Sequence, residues 1–287
     1  MPTVKADELR DLSTRIFAAA GAPQRDAEWI ASLLVKANLR GHDSHGVIHV
    51  PRYVARCRTG GIDPKAQPKV IRDNLATGLV DGCNGFGQVV ARYATEVAIA
   101  KATQVGVSAV GLINSNHIGR LADYAEMIMA RGMIGIVHAN ASGDALLVAP
   151  YGGVGRLLST NPFAIAFPSG EAAPMVFDMA TSVVAAGKLL VKRNRKEASP
   201  AGWLIDHEGN PTTNTARFYE EPRGALLPVG GHKGYGLALM VEILGGILTG
   251  SGSSAESKGP PRNGTLIQAI RIEDFVPKEQ YAAEVDA

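Results

Sequence analysis

The sequence predicts an α/β or α+β layered body with a small helical module in front of it, and three observations carry that reading. Apolar residues recur at helical spacing through the first 70 residues. From residue 70 onward, short apolar runs of strand length interleave with helical stripes, which favours a layered α/β body over residues 71–287. The third observation is an absence: no GxGxxG turn joins a strand to a helix, so a Rossmann dinucleotide domain is not expected.

Residues 6–20 form the first expected helix, with Leu9, Leu12, Ile16 and Ala19 or Ala20 on one stripe. Gly21-Ala22-Pro23 breaks it, and Pro23 suits the first turn of a second helix that buries Ile30, Leu33, Leu34 and Ala37 and stops at Gly41. Pro51 opens a third, carrying Val54 and Cys57, and Pro64 and Pro68 make an extended connector that closes the module at residue 70. Short strands follow at Val70-Ile71 and Leu79-Val80, then a helix over 89–101 and a buried strand over 105–113. A helix over 121–131 stops at Gly132, and strands are expected at 134–139, 163–167 and 175–179. Residues 192–223 read as a polar insert with a turn at Asp206–Pro211, and 251–264 as a mobile Gly/Ser/Pro-rich stretch. The helix over 234–249 should bury Leu237, Met240, Val241, Leu244, Ile247 and Leu248, and 266–272 alternates like a last strand. These strands do not demand a purely parallel sheet.

Composition narrows the function. With 29 basic and 27 acidic residues there is no electrostatic case for nucleic acid or an anionic membrane surface. The most apolar run, Tyr235–Thr249, is interrupted by Glu242 and is shorter than the roughly 20 residues a bilayer needs. No apolar leader precedes the first helix, and Cys57 and Cys83 have no CxxC spacing, so a soluble protein of the reducing cytoplasm is expected.

Four polar knots stand out. Arg40–Arg52 packs His42, His45 and His49, Ser44, Asp43 and two guanidiniums into thirteen residues. Imidazole exchanges protons near neutral pH and Arg grips carboxylates, so this is a candidate site, whereas a helix start with Asp43 or Ser44 as N-cap is the plainer account. Its histidines lie at i, i+3 and i+7 across Gly41 and Pro51, a poor spacing for a metal, and none is expected. Asn114–Arg120, with His117, sits where a strand ends and a helix begins, where layered folds bind ligands; Asn116 could instead cap the helix. Pro228–Leu237 crowds glycines around His232 and Lys233, which suits close approach to a phosphate. Leu158–Phe163 and Val176–Ser182 join short strands to hydroxyl and amide groups able to hold a ribose or an amide, or simply to turn. Gly82–Gly87 runs GxxGxG and reads as a turn into the 89–101 helix.

Taken together and in order, these segments resemble the type-2 malate/L-lactate dehydrogenase family of NAD(P)-dependent oxidoreductases. The matching pieces are DSHGV at 43–47, NSNHIGR at 114–120, APYGG at 149–153, STNPFAIAFPS at 159–169, VFDMATS at 176–182, GWLIDHEGNPTT at 202–213 and the glycine-rich run at 227–250. The resemblance implies a non-Rossmann fold: a mixed, largely antiparallel sheet layer with helices and an N-terminal helical module, assembled as a homodimer. It implies NAD or NADP as cofactor and a small 2-oxo or 2-hydroxy acid as substrate. By resemblance His45 protonates the substrate oxygen in some members and His117 is the acid/base in others. Ser44 would bond substrate, and Asp178, Met179, Ala180, Thr181, His232 and Lys233 would line the cofactor. Many relatives carry Arg four residues after the SHG histidine, where this chain has His49, so either Arg52, one turn on, grips the carboxylate with His49 beside it, or the substrate is smaller or differently charged. Relatives also continue past the position of Ala287 with helices and a PGE-like segment that touches the cofactor. The expected activity is therefore hydride transfer between a 2-hydroxy acid and its 2-oxo acid. The alternatives are reduction of a cyclic ketimine, or a truncated and catalytically inactive member.

Overall fold

The structure, a computed structural model, describes residues 3–143, 145–254, 259 and 261–287. Helices α1 (Ala6–Ala19) and α2 (Gln24–Leu39) pack against each other, and α3 (Val50–Arg58) crosses α1. Their shared core contains Phe17, Ile30, Leu34, Tyr53 and Ile62, and it closes on Phe86 and Val89 at the start of α4 (Gly87–Val105). The module is thus sealed by the first helix of the layered body. Between α2 and α3 the histidine-rich segment forms two 3-10 turns, Asp43–His45 and Val47–His49. Asn38 pins them: its Oδ1 accepts from Val47 N at 2.9 Å and its Nδ2 donates to Asp43 Oδ1 at 2.6 Å. A Cβ on Gly46 would lie 2.2 Å from Asn38 Oδ1, so this loop can only close with glycine there.

The body continues through β1 (Lys69–Asp73), β2 (Thr77–Asp81), α4, β3 (Val107–Ser115), α5 (Ala122–Met129), β4 (Met133–Ser142), β5 (Phe163–Phe167), β6 (Met175–Met179) and α6 (Ala186–Asn194). A three-stranded sheet of β7 (Leu204–Ile205), β8 (Pro211–Thr212) and β9 (Ala225–Leu226), with α7 (Ala216–Tyr219), fills the polar insert. Then come α8 (His232–Val241), a π-helical turn over Glu242–Ile247, β10 (Arg262–Arg271) and α9 (Lys278–Asp286). The main sheet has the order β1-β2-β3-β10-β4-β5-β6, antiparallel at every joint except β2–β3. It is a mixed, largely antiparallel α/β layer. Helices α4 and α5 cover one face over a core of Val90, Ala94, Val110, Leu112, Ile128, Val137 and Ile267. The other face meets the π-helical turn along β4 and β10.

Three local expectations are corrected. The strand expected over 105–113 starts later, because α4 runs through Val105 and Gly106, at φ +87°, turns the chain first. Arg262–Gly264, read as part of a mobile stretch, already belong to β10; residues 255–258 and 260 of that stretch lie outside the described residues. The third concerns α8 and its continuation, expected to bury Ile247 and Leu248. Both are exposed, as are Leu239 and Ile243. The buried side is made instead of Gly234, Ala238, Val241, Glu242, Gly245 and Gly246, since the helix backbone approaches β4 so closely that a Cβ on Gly245 would sit 2.9 Å from Asn140 N. Glu242 is buried and satisfied: Asn161 Nδ2 donates to it at 2.6 Å, Asn140 Nδ2 at 3.3 Å and Ser254 Oγ at 2.8 Å.

Candidate active site

Three imidazoles from distant parts of the chain meet in one cavity. His45 and His49 come from the pinned 3-10 turns, and His117 from the turn between β3 and α5. The His45 and His117 rings are stacked with centroids 5.7 Å apart, and His49 lies 4.9 Å from His117. His117 comes this close because Gly87 lacks a side chain; a Cβ there would lie 2.1 Å from the His117 carbonyl oxygen. That explains the last glycine of the GxxGxG run. Each ring is held through one nitrogen. His49 Nε2 donates to Ser44 O at 2.8 Å, His45 Nδ1 is 3.0 Å from Ser44 Oγ, and His117 Nδ1 is 2.6 Å from Tyr53 Oη. Asn116 does not cap a helix; its amide donates to the carbonyls of Asn84 and Gly85 and fixes the loop under His117.

Burial is the first reason these rings stay neutral. It lowers His45, aided by the positive fields of His42 and Arg52, to about 4. It also lowers His49, aided by Arg52 and His45, to about 4, and His117 well below the usual imidazole range. Arg52, Arg56 and Arg262 line the same chamber, a cavity of ≈ 480 Å³ shared with His45, His49 and His117. Among the described residues none of the three has a carboxylate partner: Arg56 donates to Pro261 O and Gly61 O, and Arg262 to Asn114 Oδ1. Burial lowers the Arg56 guanidinium, and repulsion from Arg52 and Arg262 adds to it. Three guanidiniums without a carboxylate partner among the described residues give the chamber a positive field, which favours an anion.

A second chamber of ≈ 340 Å³ lies on the other side of His45 and shares Ser44, His45, Gly119, Leu121, Thr160, Pro162 and Ala185 with the first. Asp178, Met179 and Ala180 form part of its wall with Val183, Val184 and Val229; Lys188 lines it, as does Arg120, which is paired with Asp123 and Glu126. Asp178 is not free to turn: its Oδ2 accepts from Ala122 N at 2.9 Å at the start of α5, and burial pushes its carboxyl up. Thr181 is buried and its hydroxyl donates to Thr160 O at 3.0 Å, so it braces the wall rather than facing the space. His232 and Lys233 are exposed and line neither chamber. His232 packs edge-on to Tyr151, which borders an adjoining cleft of ≈ 630 Å³ with Gly152, Gly153, Gly230 and Gly231. Val183 borders both the second chamber and this cleft.

The comparisons with known proteins show the family. Residues 4–287 match the family model for malate/L-lactate dehydrogenase. The chain belongs to the malate/L-lactate dehydrogenase family. Among its relatives is the malate dehydrogenase of Pyrococcus abyssi (strain GE5 / Orsay), 42% identical over 97% of this chain and 78% of that protein. The L-sulfolactate dehydrogenase of Methanocaldococcus jannaschii is 38% identical over 99% of this chain and 82% of that one, and its solved structure superposes with a TM-score of 0.86. The delta1-piperideine-2-carboxylate reductase of Pseudomonas syringae pvar. tomato is 32% identical, with a TM-score of 0.89 over 100% of this chain and 88% of that one. This member of the malate/L-lactate dehydrogenase family is thus an oxidoreductase with the mixed sheet of its relatives. No helix among the described residues is long and apolar enough to cross a membrane.

Reading the sequence alone missed Tyr53, Gln88, Arg56 and Arg262. Tyr53 and Gln88 sit among helical core positions. Arg56 and Arg262 become neighbours only when β10 enters the sheet beside β3.

Proposed function

We propose that this chain interconverts a 2-hydroxy acid and its 2-oxo acid with NAD or NADP, in the manner of a malate- or lactate-type dehydrogenase. The observation that carries the reading is the partition by Ser44 and His45 of a chamber of histidines and unpaired arginines from one walled by Leu121, Met179, Val183 and Val184. The second chamber fits a nicotinamide nucleotide by its chemistry. Leu121, Met179, Val183 and Val184 match a ring face, Thr160 and Ser182 a carboxamide, and Lys188 a phosphate. Arg120 braces this wall, donating to Asp123 at 2.6 Å and Glu126 at 3.0 Å, with its Nε buried and without a partner among the described residues. The adjoining cleft, which shares Val183 with this chamber, offers room for the rest of a dinucleotide.

When bound, the nicotinamide supplies or takes the hydride at the substrate carbon. The protein supplies the rest. Arg52, with Arg56 and Arg262 on the same wall, grips the carboxylate and turns the oxo carbon toward the partition. His49 stands beside that grip, where many relatives place a further arginine. An arriving carboxylate offsets the positive field around His45 and His117 and raises their affinity for a proton. One of these two rings then gives its proton to the substrate oxygen in reduction and recovers it in oxidation. Ser44, bonded to His45, is placed to hold the same oxygen.

The test is a panel of 2-oxo acids and cyclic ketimines, including oxaloacetate, pyruvate, sulfopyruvate and piperideine-2-carboxylate, with NADH and with NADPH, following loss of reduced-nicotinamide absorbance. Turnover of the oxo acids supports the proposal, and turnover of the imine alone moves the assignment to the ketimine reductase reading. No turnover, with no thermal shift on adding either cofactor, defeats both readings and leaves an inactive family member. The exposed ridge Leu239, Ile243, Ile247 and Leu248 supports assembly as a homodimer, which sedimentation velocity would test. The two cysteines, Cys57 and Cys83, are free, which suits the cytoplasm.

A further inference from the structure

His117 is backed by a hydrogen-bonded pair that the reading above does not use. Tyr53 Oη lies 2.6 Å from His117 Nδ1, and Gln88 Nε2 donates to the same oxygen at 3.0 Å. Both partners are buried, Tyr53 at 2% and Gln88 at 0% exposure. Gln88 is anchored from behind, since Trp29 Nε1 donates to its backbone carbonyl at 2.9 Å. Its Oε1 is buried without a partner. His117 Nε2 makes no hydrogen bond among the described residues, and the ring lines the arginine chamber, so Nε2 is the nitrogen left for substrate.

A tyrosine hydroxyl both donates and accepts, and an amide turned end for end exchanges a donor for an acceptor. With Gln88 Nε2 toward Tyr53, the hydroxyl proton points at His117 Nδ1 and the ring proton sits on Nε2. With the amide turned, Tyr53 donates to Gln88 Oε1 and accepts from Nδ1–H. Each orientation leaves one amide end unpartnered, so neither is favoured by hydrogen-bond count. Only the second accommodates a ring protonated on both nitrogens, and only the second leaves the Nε2 lone pair bare after that proton is given away.

Resting on the dehydrogenase reading, we propose that Tyr53, with Gln88 behind it, is the positioning residue of His117. It holds Nδ1 through a hydrogen bond that can reverse, so that Nε2 alone exchanges a proton with the substrate oxygen. The balance is simple. In reduction the oxygen gains the proton that Nε2 loses, Nδ1 keeps its own, and Tyr53 stays a neutral phenol throughout. Burial supports this by pushing the Tyr53 hydroxyl up and His117 down, so no proton passes from Tyr53 to the ring. The arrangement also separates the two histidines: His45 is tied to the Ser44 hydroxyl beside the cavity, whereas His117 has a buried hydrogen-bonded pair behind it.

The experiment uses Tyr53→Phe, which keeps the ring that stacks on His49, and Gln88→Met, which keeps the volume. In Tyr53→Phe, kcat should fall on the order of 10–100-fold in both directions, a share of the roughly 10²–10⁴-fold of a positioned acid–base group, with KM within about threefold. Gln88→Met should give a smaller fall of the same kind. Independently of turnover, long-range nitrogen–proton spectra of labelled histidine should show His117 Nδ1 hydrogen-bonded in the wild type, in whichever tautomer, and without that bond in Tyr53→Phe. A wild-type kcat in Tyr53→Phe, or a His117 ring spectrum unchanged from wild type, overturns the proposal. If Tyr53→Phe does not fold, Gln88→Met decides by the same two readouts. Absence of turnover in the wild type defeats the dehydrogenase reading, while the spectra still judge the Tyr53 contact.

Discussion

Acid should weaken this protein before its carboxylates begin to titrate, and the cause lies in the active-site cavity. His45 and His49 are lowered from 6.5 to about 4 by burial and by the surrounding cations. A native state that refuses a proton the unfolded chain binds is fully stabilised above the unfolded value. It loses that stability as pH falls from about 6.5 through about 4. Between about pH 7 and about pH 5, one such histidine should cost roughly 2 kcal/mol. The repulsion between His45 and His49 must not be counted for each, so the pair should cost about 2–4 kcal/mol, against a typical total of roughly 5–15 kcal/mol. Urea unfolding at the two pH values measures it. The double variant His45→Gln/His49→Gln should show a flatter dependence by that amount. Asp178 titrates in the opposite sense but is present in both proteins, so the comparison removes it. Adding oxamate, a small carboxylate, should recover part of the loss by pairing with the unpaired arginines. An equal pH slope in wild type and double variant would refute the argument, because the rings would then not be held neutral by the fold.

Three further outcomes follow from the same geometry. Arg52→Gln should raise KM for a 2-oxo acid by on the order of 10–100-fold, with kcat less affected, since a charge-assisted carboxylate bond is worth roughly 1.5–3 kcal/mol; steady-state kinetics read it. Gly187→Ala should reduce activity more than stability, because its Cβ would lie 2.7 Å from Ser44 Cβ and push α6 off the partition between the two chambers. Comparing kcat/KM with the thermal midpoint separates the two effects. Glu242→Leu should cost about 3–5 kcal/mol in urea unfolding, since it strands the donors of Asn161 and Ser254 in the core.

Much of this could be read from the chain before any coordinates. The helical module, the order of strand and helix, and the segments bearing His45, His117 and Asp178 all follow from spacing and turn chemistry, which are local. What could not be read is what depends on register between distant segments. Glu242 appeared only as an interruption in an apolar run, because the asparagines that satisfy it lie 102 and 81 residues away. Ile247 and Leu248 looked like core because hydropathy cannot tell a helix buried on its bulky side from one buried on its glycines. Tyr53 drew no notice in α3, though its hydroxyl reaches 64 residues along the chain to His117.

Strand β10 lies between β3 and β4, yet it is made after both, from residue 262 onward. Until it emerges from the ribosome, β3 and β4 each carry an edge of unpaired N–H and C=O groups that only β10 pairs. The nascent chain therefore carries two unpaired strand edges through about half of its synthesis, a state open to misassociation. Holding such chains until the closing strand arrives is work for a chaperone, and expression yield should depend on it.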